Sequence, residues 1–151
     1  MKKLIILVLA LASVFLYLNL KKQRLIQVGD AKVRVEIMEA EAQREKGLSD
    51  RKSLCSGCGM LFVFDSKQVT PIFWMKDMVM PIDIIWISGD KIVKIDKSAP
   101  IPKSGVSDGK LPKYSPGRPI DYVLEVSSGF SDTNNIKVGD VVQMQFDPKQ
   151  S

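Results

Sequence analysis

Trp74, Lys76 and Asp83 stand in runs that are otherwise apolar, Phe73-Trp74-Met75-Lys76 and Pro81-Ile82-Asp83-Ile84-Ile85-Trp86-Ile87. A buried sheet favours neither a lysine nor an aspartate, and a lone pair of opposite charges in such runs is how a pocket with fixed polar groups reads. Side chains alternate along a strand, so Trp74 and Lys76 are expected on one face and Phe73 and Met75 on the other. With Asp83 across the sheet from Lys76, the two charges would form the polar floor of an apolar cleft and Trp74 a stacking surface. The same residues also fit a satisfied ion pair at the sheet margin beside a core tryptophan. Arg51 and Glu125 are open to both readings, Arg51 because its planar fork can grip a carboxylate of the protein or of a ligand. Tyr114 lies in a proline-rich stretch and either closes over the cleft or anchors that loop.

Cys55-Ser56-Gly57-Cys58 admits a disulfide clip, thiol exchange or half a metal site. A metal site needs further ligands, and the chain has no other cysteine and no histidine. Exchange favours a helix N-terminus beside the first thiol, whereas the residues that follow, Gly59 to Phe64, are apolar and strand-like. A clip between Cys55 and Cys58 is therefore the expectation. Met75, Met78 and Met80 have a spacing that would present soft thioethers to Cu(I), or they fill gaps in an aromatic core. No cofactor is expected. Absence of histidine also removes the usual Ser-His and Cys-His nucleophile pairs.

The elements that must hold these residues are mostly strands. Leu25–Val28 and Lys32–Ile37 flank a Gly29-Asp30 turn, and the second alternates Val33, Val35 and Ile37 against charged residues. Glu39–Lys46 reads as the one clear helix, with Gly47 as its C-cap. Gly59–Phe64 and Val69–Met75 follow as strands, Pro71 marking an edge. Ile82–Ile87 and Lys91–Ile95 form a hairpin, the first apolar on both faces and hence interior. Lys97–Pro119 carries five prolines and reads as a long loop. Tyr122–Val126 is a strand, Ser127–Asn135 a short helix or turn, and Val141–Phe146 the last strand. The sum is a mostly β domain with an α+β tendency, a single small β-sandwich or partly closed barrel with one short helix, spanning 25–148 and followed by a tail at 149–151.

Residues 1–24 form a separate N-terminal segment. Leu4 to Leu20 is apolar apart from Ser13, Tyr17 and Asn19 and is bracketed by lysines and an arginine. As a helix it would reach roughly 26 Å, slightly short of a hydrocarbon core of about 30 Å. A cut after Ala10-Leu11-Ala12 would leave too short an apolar core for a signal peptide, so an uncleaved signal anchor is expected. Five of the 22 basic residues and none of the 17 acidic ones fall in 1–24, so the remainder carries 17 of each and is formally neutral. The net charge of +5 thus reflects membrane flanks, and no nucleic-acid partner is expected. The expected location is membrane-anchored, with the domain exported to the periplasmic or extracellular side.

From Val33 to about Phe146 the chain resembles the DUF192 family. The resemblance rests on Arg44, Gly47-Leu48, Arg51, Leu54, Gly59-Met60-Leu61-Phe62, Phe73-Trp74-Met75-Lys76, Pro81-Ile82-Asp83, Tyr114, Tyr122-Val123-Leu124-Glu125 and Gly139-Asp140, in the family's order and spacing. It implies a small β fold and a site without an established substrate. Cys55, Cys58, Met78 and Met80 depart from the family's pattern. The functional expectation is an exported domain that binds a small polar or carbohydrate-like ligand, or a partner segment, through Arg51, Trp74, Met75, Lys76, Asp83, Tyr114 and Glu125. A hydrolase or transferase using Asp83 or Glu125 with Lys76, and a structural envelope module, are the alternatives.

Overall fold

The structure, a computed structural model, describes residues 23–66 and 68–146. The expected membrane helix within 1–24 and the tail at 149–151 lie outside the described residues, apart from Gln23 and Arg24. Among the described residues no helix is long and apolar enough to cross a membrane.

Strands β1 (Gln23–Val28) and β2 (Ala31–Met38) pair antiparallel around the Gly29-Asp30 turn, as the alternation of β2 predicts. β3 (Cys58–Val63) then lies parallel to β2. Parallel neighbours need a crossover, and here it carries helix α1 (Glu41–Lys46). β5 (Ile82–Ser88) and β6 (Lys91–Ala99) form a hairpin. β8 (Tyr122–Ser127) inserts between β5 and β3, and β9 (Val142–Met144) adds to β1, giving the order β6-β5-β8-β3-β2-β1-β9. A separate two-stranded ribbon joins β4 (Phe73–Trp74) to β7 (Lys113–Tyr114), and a second short helix, α2 (Phe130–Thr133), follows β8.

The seven-stranded sheet curls until its two edges meet. The Ile92 amide donates to the Asp140 carbonyl (3.0 Å), Gly139 to Ile92 (2.8 Å) and Val142 to Asp90 (2.7 Å). The fold is thus a curled half-barrel, and the sandwich alternative is set aside because one continuous sheet supplies both faces. Its inner face packs Val33, Val35, Leu61, Ile85 and Leu124. Its outer face carries Met60, Phe62, Ile84, Trp86 and Val123, covered by the 75–80 turn and the β4–β7 ribbon. Phe73 joins ribbon to sheet through edge-to-face contacts with Phe62 (4.9 Å) and Trp86 (5.5 Å). β3 and β8 approach closely at Gly59, where a Cβ would stand 2.8 Å from the Glu125 carbonyl oxygen.

Two expectations change. Only Phe73–Trp74 of the Val69–Met75 segment is a strand, while Val69 makes an isolated bridge to Ile120. The 97–119 segment is less irregular than its prolines suggest, since β6 runs to Ala99, a 3-10 turn spans Asp108–Lys110, and β7 pairs with β4. The single turn of helix at Phe130–Thr133 falls within the 127–135 segment expected to be a short helix or turn.

Candidate functional site

A cleft of about 230 Å³ opens on the outer face of the sheet. Its position follows from the parallel β2–β3 pair, whose crossover lays α1 along one side. The 71–74 segment forms the opposite side, and Phe62, Phe64 and Met78 complete the apolar lining. Two features hold α1 in place. Arg44 donates to the carbonyls of Glu39 and Val63, pairs with Asp65 and lies over the Phe64 ring. Gly47 ends the helix at φ 47°, a conformation that disfavours any side chain, and a Cβ there would press on Phe62 at 3.3 Å. Beyond it the rims are tied together, the Ser49 hydroxyl donating to the Lys76 carbonyl (3.1 Å) and the Asp50 amide to that of Asp77 (2.9 Å).

At the floor stands Glu125, opposite Met60 on β3 and Ile84 on β5. It is 6 % exposed, and its carboxyl has no hydrogen-bond or ionic partner among the described residues. Burial alone pushes this acid up to about 8. It is therefore mostly protonated at neutral pH, with one O–H to donate and a carbonyl to accept.

Of the residues singled out in the sequence, Trp74, Lys76, Met78 and Glu125 line this cleft. Trp74 is 52 % exposed at the mouth. Lys76 is also exposed, and its amine, 2.6 Å from Asp108, is held above its usual value chiefly by that hydrogen bond. The expected pairing of Lys76 with Asp83 is absent. Lys76 sits in a turn and not a strand, and Asp83 is out of phase with Ile82 and Ile84, which face the outer core. Asp83 is fully buried, and its carboxylate accepts from the amides of Ser98 (2.9 Å), Gly129 (3.2 Å) and Ser131 (2.9 Å), tying the end of β6 to α2.

Arg51, expected to grip a carboxylate of the protein or of a ligand, lies outside the cleft and pairs bidentately with Glu36, both bonds at 2.6 Å. Hydrogen bonding to Glu36 raises its guanidinium further. Tyr114 is placed opposite Phe73 in the β4–β7 ribbon, where burial and then Asp96 push its phenol up. It anchors the loop and does not line the cleft. Met75, Met78 and Met80 are buried in the outer core, with Met78 also lining the cleft. Cys55 and Cys58 are joined in a disulfide just before and at the start of β3. No group of three or more His, Cys, Asp or Glu residues among the described ones is placed to hold a metal ion.

The α1 wall, with Glu41, Glu45 and Lys46, was not foreseen as part of a site. Its only local signal is a charged helix ending at Gly47, and it becomes a wall through the parallel register of β2 and β3, which no local pattern encodes.

Fold and cleft together define a small half-barrel with an open apolar pocket over a buried acid. The family described as Uncharacterized ACR (DUF192) matches residues 24–144, and the chain belongs to that family. No curated protein matches it. Among solved structures, the chain is similar to a protein of unknown function from Novosphingobium aromaticivorans DSM 12444, at 26% identity and a TM-score of 0.72, covering 80% of this chain and 84% of that one. It is also similar to a candidate transcription regulator from Sinorhizobium meliloti 1021, at 24% identity and a TM-score of 0.71, covering 81% and 92%. The latter likeness shows the fold alone.

Proposed function

We propose that this domain binds a small polar ligand, about one ring in size, in the cleft between α1 and the 71–74 segment. Glu125 supplies the hydrogen-bonding group at the floor, Trp74 a stacking face and Lys76 a polar rim. The observation that carries the reading is the contrast between the two buried acids. Asp83 has three amide partners and behaves as a structural fastener. Glu125 has none and faces an opening, at a cost in stability that the fold itself does not repay. An acid perturbed by burial in a cleft is a candidate functional group. The proposal includes an exported domain held to a membrane by residues 1–24, and the disulfide supports the oxidising side.

A second reading makes Glu125 the general acid of a hydrolase or transferase, because an acid at about 8 titrates close to the operating pH. Native mass spectrometry of the full-length protein purified from cell extract tests the binding reading. A bound small molecule that disappears in folded Trp74→Ala and Glu125→Gln variants is the expected result. Retention in both variants places the ligand elsewhere, and turnover of the released compound by the wild type alone favours the enzyme.

A further inference from the structure

We propose that the ligand is an organic cation, a primary or secondary amine on an apolar ring or chain, whose ammonium group pairs with Glu125 at the floor of the cleft. This inference rests on the binding reading above and specifies its ligand class. Three observations converge on it. First, the floor of the cleft holds the carboxyl of a residue only 6 % exposed, with no hydrogen-bond or ionic partner among the described residues, so it is free to pair with a ligand. Second, Phe62, Phe64, Phe73 and Trp74 line the same cavity. Aromatic faces attract cations through their quadrupoles, most strongly where water is excluded, and they repel anions.

Third, the charges around the mouth are unequally committed. Arg44 is taken up by Asp65 and two backbone carbonyls, and Lys76 by Asp108. Glu41, Glu45 and Lys46 have no such partners among the described residues. Glu41, Glu45 and Lys46 therefore leave one net negative charge at the mouth, and Glu125 adds a second once it gives up its proton. The α1 groups Glu41, Arg44, Glu45 and Lys46, with Lys76 from the 75–80 turn, are the other charged groups facing the cleft. The strands beside Glu125 place only Met60 and Ile84 opposite it.

Binding moves one proton. The neutral carboxyl of Glu125 loses its O–H proton to solvent as the charged ammonium arrives, leaving a carboxylate and ammonium in contact. No bond of the ligand is made or broken. The volume suits a ring with a short side chain.

Calorimetry of the full-length protein with three probes of one shape tests the assignment: 2-phenylethylamine, 2-phenylethanol and phenylacetate. The amine is expected to bind at least tenfold more tightly than the alcohol, and phenylacetate most weakly. Titrations at pH 6.5 in buffers of different ionisation heat should show about one proton released per amine bound, with affinity rising about tenfold per pH unit below 8. Glu125→Gln should abolish proton release and the amine preference while leaving the alcohol affinity in place. Equal binding of amine and alcohol overturns the cation assignment and leaves the cleft as a binding site. So does tighter binding of phenylacetate, and so does an amine preference that survives in Glu125→Gln. Absence of amine binding overturns the assignment outright. Amine binding unchanged in both Trp74→Ala and Glu125→Gln overturns the assignment and the cleft reading together.

Discussion

Replacing Glu125 by glutamine should stabilise the protein, and by an amount that depends on pH in a defined way. The acid ionises near 4.5 in an exposed chain and near 8 in the folded state. Below pH 4.5 it is neutral in both states and contributes no pH dependence. Between 4.5 and 8 the unfolded chain releases the proton while the folded protein keeps it, so the unfolded state is favoured increasingly as pH rises. Each unit in that window is worth about 1.4 kcal/mol. The accumulated loss reaches roughly 3 kcal/mol at pH 7 and roughly 4 kcal/mol at pH 8, and levels off near roughly 5 kcal/mol above that. Glutamine is nearly isosteric and buries a comparable neutral polar group, so the difference at pH 4 sets the baseline. Urea unfolding of wild type and Glu125→Gln at pH 4, 5, 6, 7 and 8 measures the rest. The stability gap should be smallest at pH 4 and widen steadily to pH 8. A gap that stays flat between pH 5 and 8 refutes the argument, because it means that Glu125 titrates like an exposed acid and is no buried neutral group.

Asp83→Ala removes the shared acceptor of three amides, of which that of Ser131 is buried, and should cost about 1 to 3 kcal/mol, seen as a fall in urea midpoint. Gly59→Ala sets a methyl 2.8 Å from a backbone oxygen of the neighbouring strand, and the forced separation of β3 from β8 should cost about 1 to 3 kcal/mol by the same assay. The double substitution Cys55→Ser, Cys58→Ser should lower stability by no more than about 2 kcal/mol, since the closed loop is short. A collapse of the fold would assign the disulfide a larger role. Trp74→Ala should leave the melting temperature within a few degrees of wild type, because half of the side chain is already in water.

Alternation made the β1–β2 hairpin legible, and unbroken apolar runs marked β5 as interior, because burial of one or two strand faces leaves a direct trace in the residues. Glu125 was legible for the same reason, as a charge in a strand that otherwise reads Tyr-Val-Leu-Val. The partner assigned to Lys76 was not. That assignment carried the two-residue period of Phe73–Trp74 on through Lys76, but the chain turns there, with Asp77 at φ 54°. A turn closed by the Met78 amide on the Met75 carbonyl leaves little trace among methionines and a lysine. Asp83 was correctly picked out as unusual and given the wrong company, since its partners are backbone amides from residues 98, 129 and 131. Main-chain donors are invisible in a sequence, so a buried acid held by amides and one aimed into a pocket look alike before folding.

The meeting of the sheet's two edges governs when this molecule can fold. β1 begins at Gln23 and pairs with β9, Ile26 lying opposite Met144, so the first of the described strands to be synthesised waits for the last of them. Residues 139–142 also latch onto the turn of the β5–β6 hairpin. Contacts so distant in sequence slow folding, because loop entropy is lost before the pairing returns anything. During that wait the apolar inner faces of β2, β3 and β8 are not enclosed by the curled sheet, and β1 offers an unpaired edge to any other extended chain. Truncation ahead of Val142 should therefore leave a chain that associates with its own copies rather than a slightly shortened domain.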